Sequence, residues 1–418
     1  MPSTTPPTQQ LNARAASLPA AAARGRTVPV GANERLAGPL LVLITDRLTQ
    51  LINKGEVTDR YYNPGDLFTD VHLVLCNDDA PDPRALQRMV GTARLTVHTL
   101  PAGISLFART IGWRPTLLKN WAAGAVTLAR EVRPSLVRCH GASINAYAAL
   151  MIRRALGTPF VISMHTIPTE MRAMSSGWKE RLVTHAIVSV ERLVLREADL
   201  VLPVYADIVP FLRNVGCTRY RVRYNALNAA AIKRKESYSL RDPVRVLSVG
   251  RQIPSKSPAE IIGAVAELPN VHLTVVGDGE LHAELVALVS ARGLTARVTF
   301  HRAIANDDLC AMLADFDIFV ARYDGGGISK AMMEPMLAGL PLITNRRRPS
   351  HVPELGPDVC RVVENEPRAY ADALRELIGD DEARASLARA GQRYALDTFS
   401  PDHAEAAYVD SYLSVLGG

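Results

Sequence analysis

Two short segments carry residue types that can bind phosphate and sugar groups. The first, Val249–Lys256 (VGRQIPSK), follows an apolar run with a glycine and then places Arg251 and Lys256 five positions apart. A guanidinium can donate to two phosphate oxygens at once and an ammonium adds a point charge, so the pair suits a departing diphosphate. Because the G-R-x4-K pattern is short, a solvent-exposed loop is the alternative interpretation.

The second segment, Tyr323–Met336 (YDGGGISKAMMEPM), has three consecutive glycines between a predicted strand and a predicted helix. Glycine allows close approach of the backbone to a phosphate or sugar, and the start of a helix offers N–H groups to an anion. A flexible turn is the simpler reading of these glycines. Glu334 is a lone acid on an apolar helix, so we expect it to accept hydrogen bonds in a cleft.

Alternating strand and helix patterns position both segments. Short apolar runs predict strands at 39–45, 71–76, 95–100, 134–139, 159–164 and 199–204, and again at 245–249, 271–276, 297–300, 317–321 and 341–344. Helical patterns separate them, as at 122–131, 143–156, 179–197, 258–267, 281–292, 307–313 and 329–338. This alternation predicts an α/β protein with two parallel, doubly wound sheets, whose ligands bind at the carboxyl ends of the strands.

The length of 418 residues suggests two domains. We predict a disordered tail at 1–37, an N-terminal domain at 38–228, a polar linker at 229–242, a C-terminal domain at 243–400, and a final helix at 401–418 that packs back on the N-terminal domain. The Ala- and Arg-rich, acid-poor tail also has the composition of an organellar transit peptide, which is the alternative for that segment.

Several classes of site are disfavoured by the sequence. Five widely spaced cysteines without a C-x-x-C pair indicate neither a disulfide framework nor a zinc ribbon, which fits a reducing cytosol. Gly277-Asp278-Gly279 lacks the third glycine of a dinucleotide fingerprint, and no P-loop motif occurs. Asp315-Phe316-Asp317 resembles a metal-binding D-x-D, but its position predicts a helix end and a strand start. We therefore expect no metal and no organic cofactor.

Eight landmarks follow one another along the chain: a strand ending in a histidine (136–140), a second strand followed by a histidine (161–165), ADLV (198–201), YNALN (224–228), Gly250-Arg251 with Lys256, VGDG (276–279), FHRAI (300–304), and Glu334 leading into MLAGLP (336–341). In this order they resemble the retaining glycosyltransferases of family 4. The resemblance implies the GT-B fold, in which two Rossmann-like domains face each other across a cleft.

The resemblance also implies site residues. Arg251 and Lys256 would bind the donor diphosphate, Glu334 the ribose hydroxyls, and the backbone near Ile304 the nucleobase. Backbone N–H groups of the glycine loop would contact sugar and phosphate, through Gly327, Ile328, Ser329, Lys330 and Ala331. His165 and the loop around Gly55 would lie at the reacting end of the cleft.

Two positions depart from the family pattern. Gly326 stands eight residues before Glu334, where a second glutamate is usual, and Asp324 is the candidate to replace it as a sugar contact. Arg302 stands where a glycine is usual. The departures concern the donor sugar more than the fold.

The implied activity is transfer of a sugar from a UDP- or GDP-linked donor to an acceptor hydroxyl. Retention is explained in this family by same-face attack, in which the departing phosphate takes the acceptor's proton, so a side-chain base is not required. The alternatives are a catalytically silent nucleotide-sugar binder or partner subunit, for which Gly326 argues, and a nucleotide-sugar 2-epimerase.

Charge is unevenly distributed along the chain. Residues 1–230 hold 27 Lys and Arg against 16 Asp and Glu, whereas residues 231–418 hold 21 against 26. The segment 104–115 (ISLFARTIGWRP) mixes large apolar residues with arginines. We expect a cytoplasmic protein with either a lipid-linked acceptor, reached by peripheral binding at the inner face of an anionic membrane, or an anionic soluble acceptor. A plain solvated surface is the alternative.

Two further points concern partners and source. The basic residues are not interleaved with aromatic residues, so nucleic acid is not expected as a partner. Arginine outnumbers lysine 41 to 7, as is typical of a GC-rich bacterial genome.

Overall fold

Two parallel sheets, each of six strands, are the framework of the protein. The computed structural model describes residue 36 and residues 38–53, 57–102, 106, 115–167, 178–225, 227, 229–347 and 352–417. All of these belong to one compact unit, Arg35–Gly418. The expected tail at 1–37, the loop at Gly55 and most of the segment 104–115 lie outside the described residues.

The first sheet is built from residues 40–203, in the order β3-β2-β1-β4-β5-β6. Its strands are β1 (Leu40–Ile44), β2 (Asp70–Leu75), β3 (Arg94–Thr99), β4 (Leu136–His140), β5 (Phe160–Met164) and β6 (Leu200–Pro203). The helices that connect or follow them are α1 (Leu48–Asn53), α2 (Pro83–Leu86), α3 (Pro115–Val132), α4 (Ile144–Leu156), α5 (Trp178–Glu197) and α6 (Val209–Asn214).

The second sheet is built from residues 244–363, in the order β12-β11-β10-β7-β8-β9. Its strands are β7 (Val244–Val249), β8 (Val271–Val276), β9 (Val298–His301), β10 (Ile318–Ala321), β11 (Leu342–Asn345) and β12 (Arg361–Val363). The accompanying helices are α7 (Ala259–Ala266), α8 (His282–Ala291), α9 (Asn306–Met312), α10 (Lys330–Ala338), α11 (Pro367–Gly379), α12 (Asp381–Phe399) and α13 (Pro401–Leu416). Below, the first half means residues 38–227 and the second half residues 229–399.

Burial on both faces explains why the strands read as continuous apolar runs. All five residues of β1 (LLVLI) and of β5 (FVISM) are buried, as expected of parallel strands covered by helices on both sides. Each of the eleven predicted runs corresponds to an observed strand, β1 to β11, that begins and ends within two residues of it. The doubly wound α/β architecture is therefore confirmed.

The strand orders fix where a ligand can approach. In the second sheet the order reverses between β7 and β10, which pair in parallel, and in the first sheet between β1 and β4. The loops that leave the carboxyl ends of such adjacent strands diverge and form a crevice. Arg251 follows β7 and the triple glycine follows β10, so the fold brings both predicted segments to one crevice.

The C-terminal part of the chain differs most from the sequence pattern. Sequence periodicity did not predict β12, α11 or α12, and α3 begins at Pro115, seven residues before the predicted start. Helix α13 packs on the first sheet, where Tyr408 and Tyr412 share a core cluster with Leu40 and Val42.

None of the described helices is both long and apolar enough to cross a bilayer.

Candidate functional site

Backbone packing fixes the loop that carries Arg251. Gly277 has φ of +137°, and a Cβ there would lie 2.0 Å from the carbonyl oxygen of Gly250; a Cβ on Gly279 would lie 2.3 Å from that of Gln252. The buried Gln252 side chain donates to the Gly277 carbonyl at 2.6 Å and pairs with His282 at 2.7 Å. Gly277-Asp278-Gly279 thus holds the β7 loop through close backbone contact, which only glycine permits.

Lys256 lies in a strongly cationic environment. Its Nζ is 4.5 Å from the centre of the Tyr323 ring, and the Arg347 guanidinium carbon is 4.6 Å from the same ring. Burial lowers the pKa of Lys256, and the positive charges of Arg251 and Arg347 lower it further. An anion placed here would relieve the repulsion among the three cations.

Arg347 was not predicted from the sequence, yet it supports the glycine loop. It donates to the carbonyl oxygens of Gly325, at 3.2 Å, and of Gly327. Burial lowers its pKa from the ordinary arginine value. The available signal was the triplet Arg346-Arg347-Arg348 directly after a predicted strand, since the carboxyl end of that strand borders the same crevice.

The loops after β7 and β10 are joined to each other. The backbone N–H of Asp324 donates to the carbonyl oxygen of Ser255 at 2.9 Å. The Asp324 carboxylate accepts from Arg322 at 2.9 Å and from Asn345 at 2.8 Å. Asp324 is therefore oriented by partners in its own half, with its side chain 41% exposed at the crevice.

The glycine loop also contacts the first half. Gly327 has φ of +69°, and a Cβ there would lie 2.2 Å from the ring of Tyr205, which follows β6. The Tyr205 hydroxyl in turn donates to the carbonyl oxygen of His165 at 3.2 Å. Glycine is required at 327 both by the backbone conformation and by this approach between the halves.

Helix α10 begins at this loop and carries Glu334 into the interior. Ile328 is buried, and Ser329 is the N-cap residue with extended backbone angles. Glu334 is 4% exposed and accepts from the Asn306 side chain at 3.1 Å. Asn306 starts α9 two residues after Ile304, so the structure brings Glu334 close to the predicted nucleobase loop. Asn306 itself was missed by the sequence analysis.

The facing edge of the first half carries three polar residues at the ends of β1, β4 and β5. His140 contacts Asp46, with Nε2 and Oδ2 3.0 Å apart, and its ring centre lies 4.1 Å from that of His165. Burial lowers the pKa of His165 well below its usual value, and positive charge on His140, Arg138 and Lys330 acts in the same direction. His165 is therefore a neutral imidazole at pH 7.

Protonation of Asp46 is also set by this group. The hydrogen bond from His140 lowers the Asp46 pKa more than burial raises it, so Asp46 is ionised. The Nε2 atom of His165 is buried and has no hydrogen-bond partner among the residues that the structure describes. Such an atom is available to a ligand hydroxyl.

Lys330 links the two edges of the crevice. Its Nζ lies 5.9 Å from the centre of the Tyr61 ring, and Tyr61 lies 5.8 Å from the His140 ring. Of the site residues named from the sequence, Asp324, Gly327, Ile328, Ser329, Lys330, Ala331 and Glu334 thus lie on one loop and helix, opposite His165. Gly55 is outside the described residues.

Asp317, the second acid of the D-x-D pattern, has a structural environment. It is 2% exposed, forms an ion pair with Arg241 at 2.9 Å and accepts from the backbone of Arg245. Among the described residues, no group of three or more His, Cys, Asp and Glu side chains could hold a metal ion.

Comparison with known proteins gives family matches for both halves. Residues 231–394 match the model for glycosyl transferases group 1, and residues 66–227 match the model for a glycosyl transferase 4-like domain. Together the two models include every described strand of the two sheets except β1.

Individual relatives are more distant. The lipopolysaccharide core biosynthesis glycosyltransferase LpsE of Rhizobium meliloti is 29% identical over 187 residues, covering 44% of this chain and about half (53%) of that protein. The alpha-D-kanosaminyltransferase of Streptomyces kanamyceticus is 26% identical over 339 residues, covering 73% and 84%. Anabaena HepE, solved with UDP and glucose, has a TM-score of 0.65 at 18% identity, covering 90% of this chain and 99% of HepE.

Proposed function

Because the chain is a group 1 glycosyltransferase with the GT-B fold, we propose that it transfers a sugar from a UDP- or GDP-linked donor to an acceptor hydroxyl with retention of configuration. The observation that carries the donor assignment is the meeting of Arg251, Lys256 and the glycine loop at the reversal point between β7 and β10. A diphosphate would accept hydrogen bonds from both cations and from the loop backbone.

Donor recognition then follows from position. The ribose hydroxyls donate to Glu334, whose carboxylate Asn306 orients, and the base contacts the backbone near Ile304. Backbone N–H groups of the loop from Gly327 to Ala331 meet the β-phosphate and the sugar. HepE has been solved with UDP and with UDP-glucose, which supports a UDP-sugar as the first donor to test.

The chemistry is assigned to electrostatic stabilisation. Arg251 and Lys256 offset the charge that develops on the leaving diphosphate, which is the role that a metal ion has in other transferases. The departing phosphate oxygen takes the proton of the attacking acceptor hydroxyl on the same face of the sugar. Neutral His165 either accepts a hydrogen bond from a sugar hydroxyl or donates one to it. Asp324 contacts the sugar in place of the acid missing at Gly326.

The acceptor belongs to the first half in this proposal, with residues 38–228 as the acceptor-side domain and 243–400 as the donor-side domain. The matched relatives include one named for lipopolysaccharide core synthesis and one named for kanosamine transfer. We infer a cytoplasmic enzyme that uses either a lipid-linked acceptor at the inner face of a membrane or an anionic soluble one.

Co-sedimentation with anionic and neutral vesicles distinguishes the two kinds of acceptor. Salt-sensitive binding to anionic vesicles favours the lipid-linked acceptor, and no binding at low salt excludes it.

Donor hydrolysis tests the activity directly. The purified protein is incubated with UDP- and GDP-sugars and released nucleotide is measured, since transferases hydrolyse their donors slowly when the acceptor is absent. We expect release from one nucleotide class, lost in Arg251→Ala. Tight nucleotide binding without any release, with or without extracts containing acceptors, would favour a silent binder instead. The anomeric configuration of the product, read by NMR, tests retention.

A further inference from the structure

The strand β4 carries a fully buried arginine in the interior of the first half. Arg138 is 1% exposed and pairs in register with Val42 of β1 and Val161 of β5. Side chains of a strand alternate between the two faces of the sheet. Arg138 therefore points to the same face as Leu136, which is the face that α13 covers with Tyr408 and Tyr412.

Aromatic rings surround this guanidinium. The rings of Tyr61, Tyr62 and Tyr408 lie 5.1, 5.4 and 5.3 Å from its central carbon. Its Nη1 donates to the carbonyl oxygen of Tyr61 at 2.6 Å, and its Nε is buried and has no hydrogen-bond partner within the described ranges. Throughout the described part of the chain, no carboxylate forms an ion pair with it.

A guanidinium has five N–H donors and stays charged at every physiological pH. Stacking on tyrosine rings stabilises the cation in part. Burial lowers the pKa of Arg138, but the four tyrosines around it (Tyr412, Tyr408, Tyr61 and Tyr62) raise it above the ordinary arginine value, so the guanidinium is charged. The buried Nε donor is nevertheless left unsatisfied by the residues that the structure describes, and an unsatisfied buried donor costs free energy. The arrangement therefore fits a site that an anion completes.

A cavity of about 400 Å³ adjoins Arg138. It is lined by the segment 58–64 and β4 of the first half, by Leu227 and the linker residues from Ala230 on, by α10 and α12, and by the N-terminal half of α13. Two of the acids in its wall are already paired, Glu405 with Arg60 at 2.5 Å and Asp59 with Arg88 at 2.7 Å. The remaining wall is mostly apolar, with Leu227, Ile232, Leu337 and Leu396, and it also carries the exposed residues Arg234 and Asp402.

We propose that this cavity is a second ligand site, in which Arg138 binds the phosphate or carboxylate group of a small organic anion whose carbon body lies against the apolar wall. The volume exceeds that of an inorganic ion and falls in the range of small-molecule pockets. The wall of the cavity contains neither Arg251 nor Lys256 nor any residue of the glycine loop 325–331, so the cavity is distinct from the donor crevice. It does not depend on the proposed donor assignment.

Calorimetric titration tests the proposal with three molecules that share a carbon body: glycerol 3-phosphate, glycerate and uncharged glycerol. The full chain should bind at least one of the two anions at one site per chain, should ignore glycerol, and should bind equally well with UDP at saturation. Arg138→Met and Arg138→Gln should weaken binding at least tenfold.

Two further variants complete the test. Ile232→Trp leaves Arg138 intact but fills part of the cavity, so it should also weaken anion binding at least tenfold. If neither Arg138 variant folds, this variant alone tests whether the anion binds in the cavity. Arg130→Met, which removes an exposed arginine of α3, should bind as the wild type does. The proposal is overturned by an absence of saturable anion binding, by competition with UDP, or by unchanged binding in the folded Arg138 variants or in Ile232→Trp.

Discussion

The hydroxyl of Tyr224 donates to the Glu354 carboxylate at 3.0 Å, and this bond joins the two halves of the protein. The same oxygen, Oε1, accepts from the backbone N–H of Ala206 at 2.9 Å. Glu354 is 1% exposed, so both bonds are shielded from water. One acid of the second half thus holds two points of the first half and helps fix the width of the crevice.

Loss of this contact should reduce stability. Removing one hydrogen bond to a buried charged group costs about 1.5 to 3 kcal/mol. We expect Tyr224→Phe to lower the free energy of unfolding by this amount in urea titrations. Tyr220→Phe, which removes an exposed hydroxyl that accepts from Arg213, should change it by less than about 0.5 kcal/mol. Equal effects of the two variants would mean that the Tyr224–Glu354 bond does not support the fold.

Arg347 should affect nucleotide affinity through the glycine loop. Arg347→Gln removes the donors to Gly325 and Gly327 and one of three neighbouring cations, so we expect UDP or GDP to bind at least fivefold more weakly in calorimetric titrations. Its sequence neighbour offers a matched control: Arg346 is exposed and paired with Glu364 at 2.8 Å, and Arg346→Gln should leave nucleotide affinity unchanged. Similar losses in both variants would indicate general electrostatic attraction rather than support of the loop.

The buried acid Glu334 provides a third prediction. Glu334→Gln keeps the shape of the side chain but makes it a weaker acceptor for ribose hydroxyls, a loss of about 1 kcal/mol or roughly fivefold in affinity. The melting temperature should change little, because Asn306 can still donate to the amide oxygen. Glu284→Gln, on the exposed side of α8, is the control. A large fall in melting temperature with unchanged nucleotide binding would make Glu334 a structural acid only.

Because the pKa of His165 is depressed in the folded protein, we expect the stability of the protein to depend on pH. Below about pH 6.5 the unfolded chain binds a proton that the folded chain does not, so stability falls as pH decreases. Between pH 7 and pH 5, the free energy of unfolding should therefore fall by up to about 2 kcal/mol less in His165→Asn than in the wild type. His272→Asn, at an exposed position of β8, should leave the pH profile unchanged. An identical profile in His165→Asn would show that the pKa of His165 is not depressed in the folded protein.

The sequence predicted the elements that position the site because each strand is a run buried on both faces, and because glycines and cations follow the strand ends. It did not predict Arg347, Asn306 or Asp46, whose roles depend on contacts between segments that are distant along the chain. Arg138 shows the same limit: in the sequence it is one more basic residue of a basic half, and only the sheet register and α13 make it a buried cation.

Binding of the donor diphosphate by Arg251 and Lys256 is tested most directly by calorimetric titration of UDP and GDP into single variants. Each cation contributes a charge-assisted hydrogen bond of about 1.5 to 3 kcal/mol. Arg251→Ala and Lys256→Ala should therefore each bind the preferred nucleotide at least tenfold more weakly than the wild type. Arg245→Ala, which removes an exposed arginine near the opposite end of β7, should bind normally. Wild-type affinity for both nucleotides in the Arg251 and Lys256 variants would contradict the account.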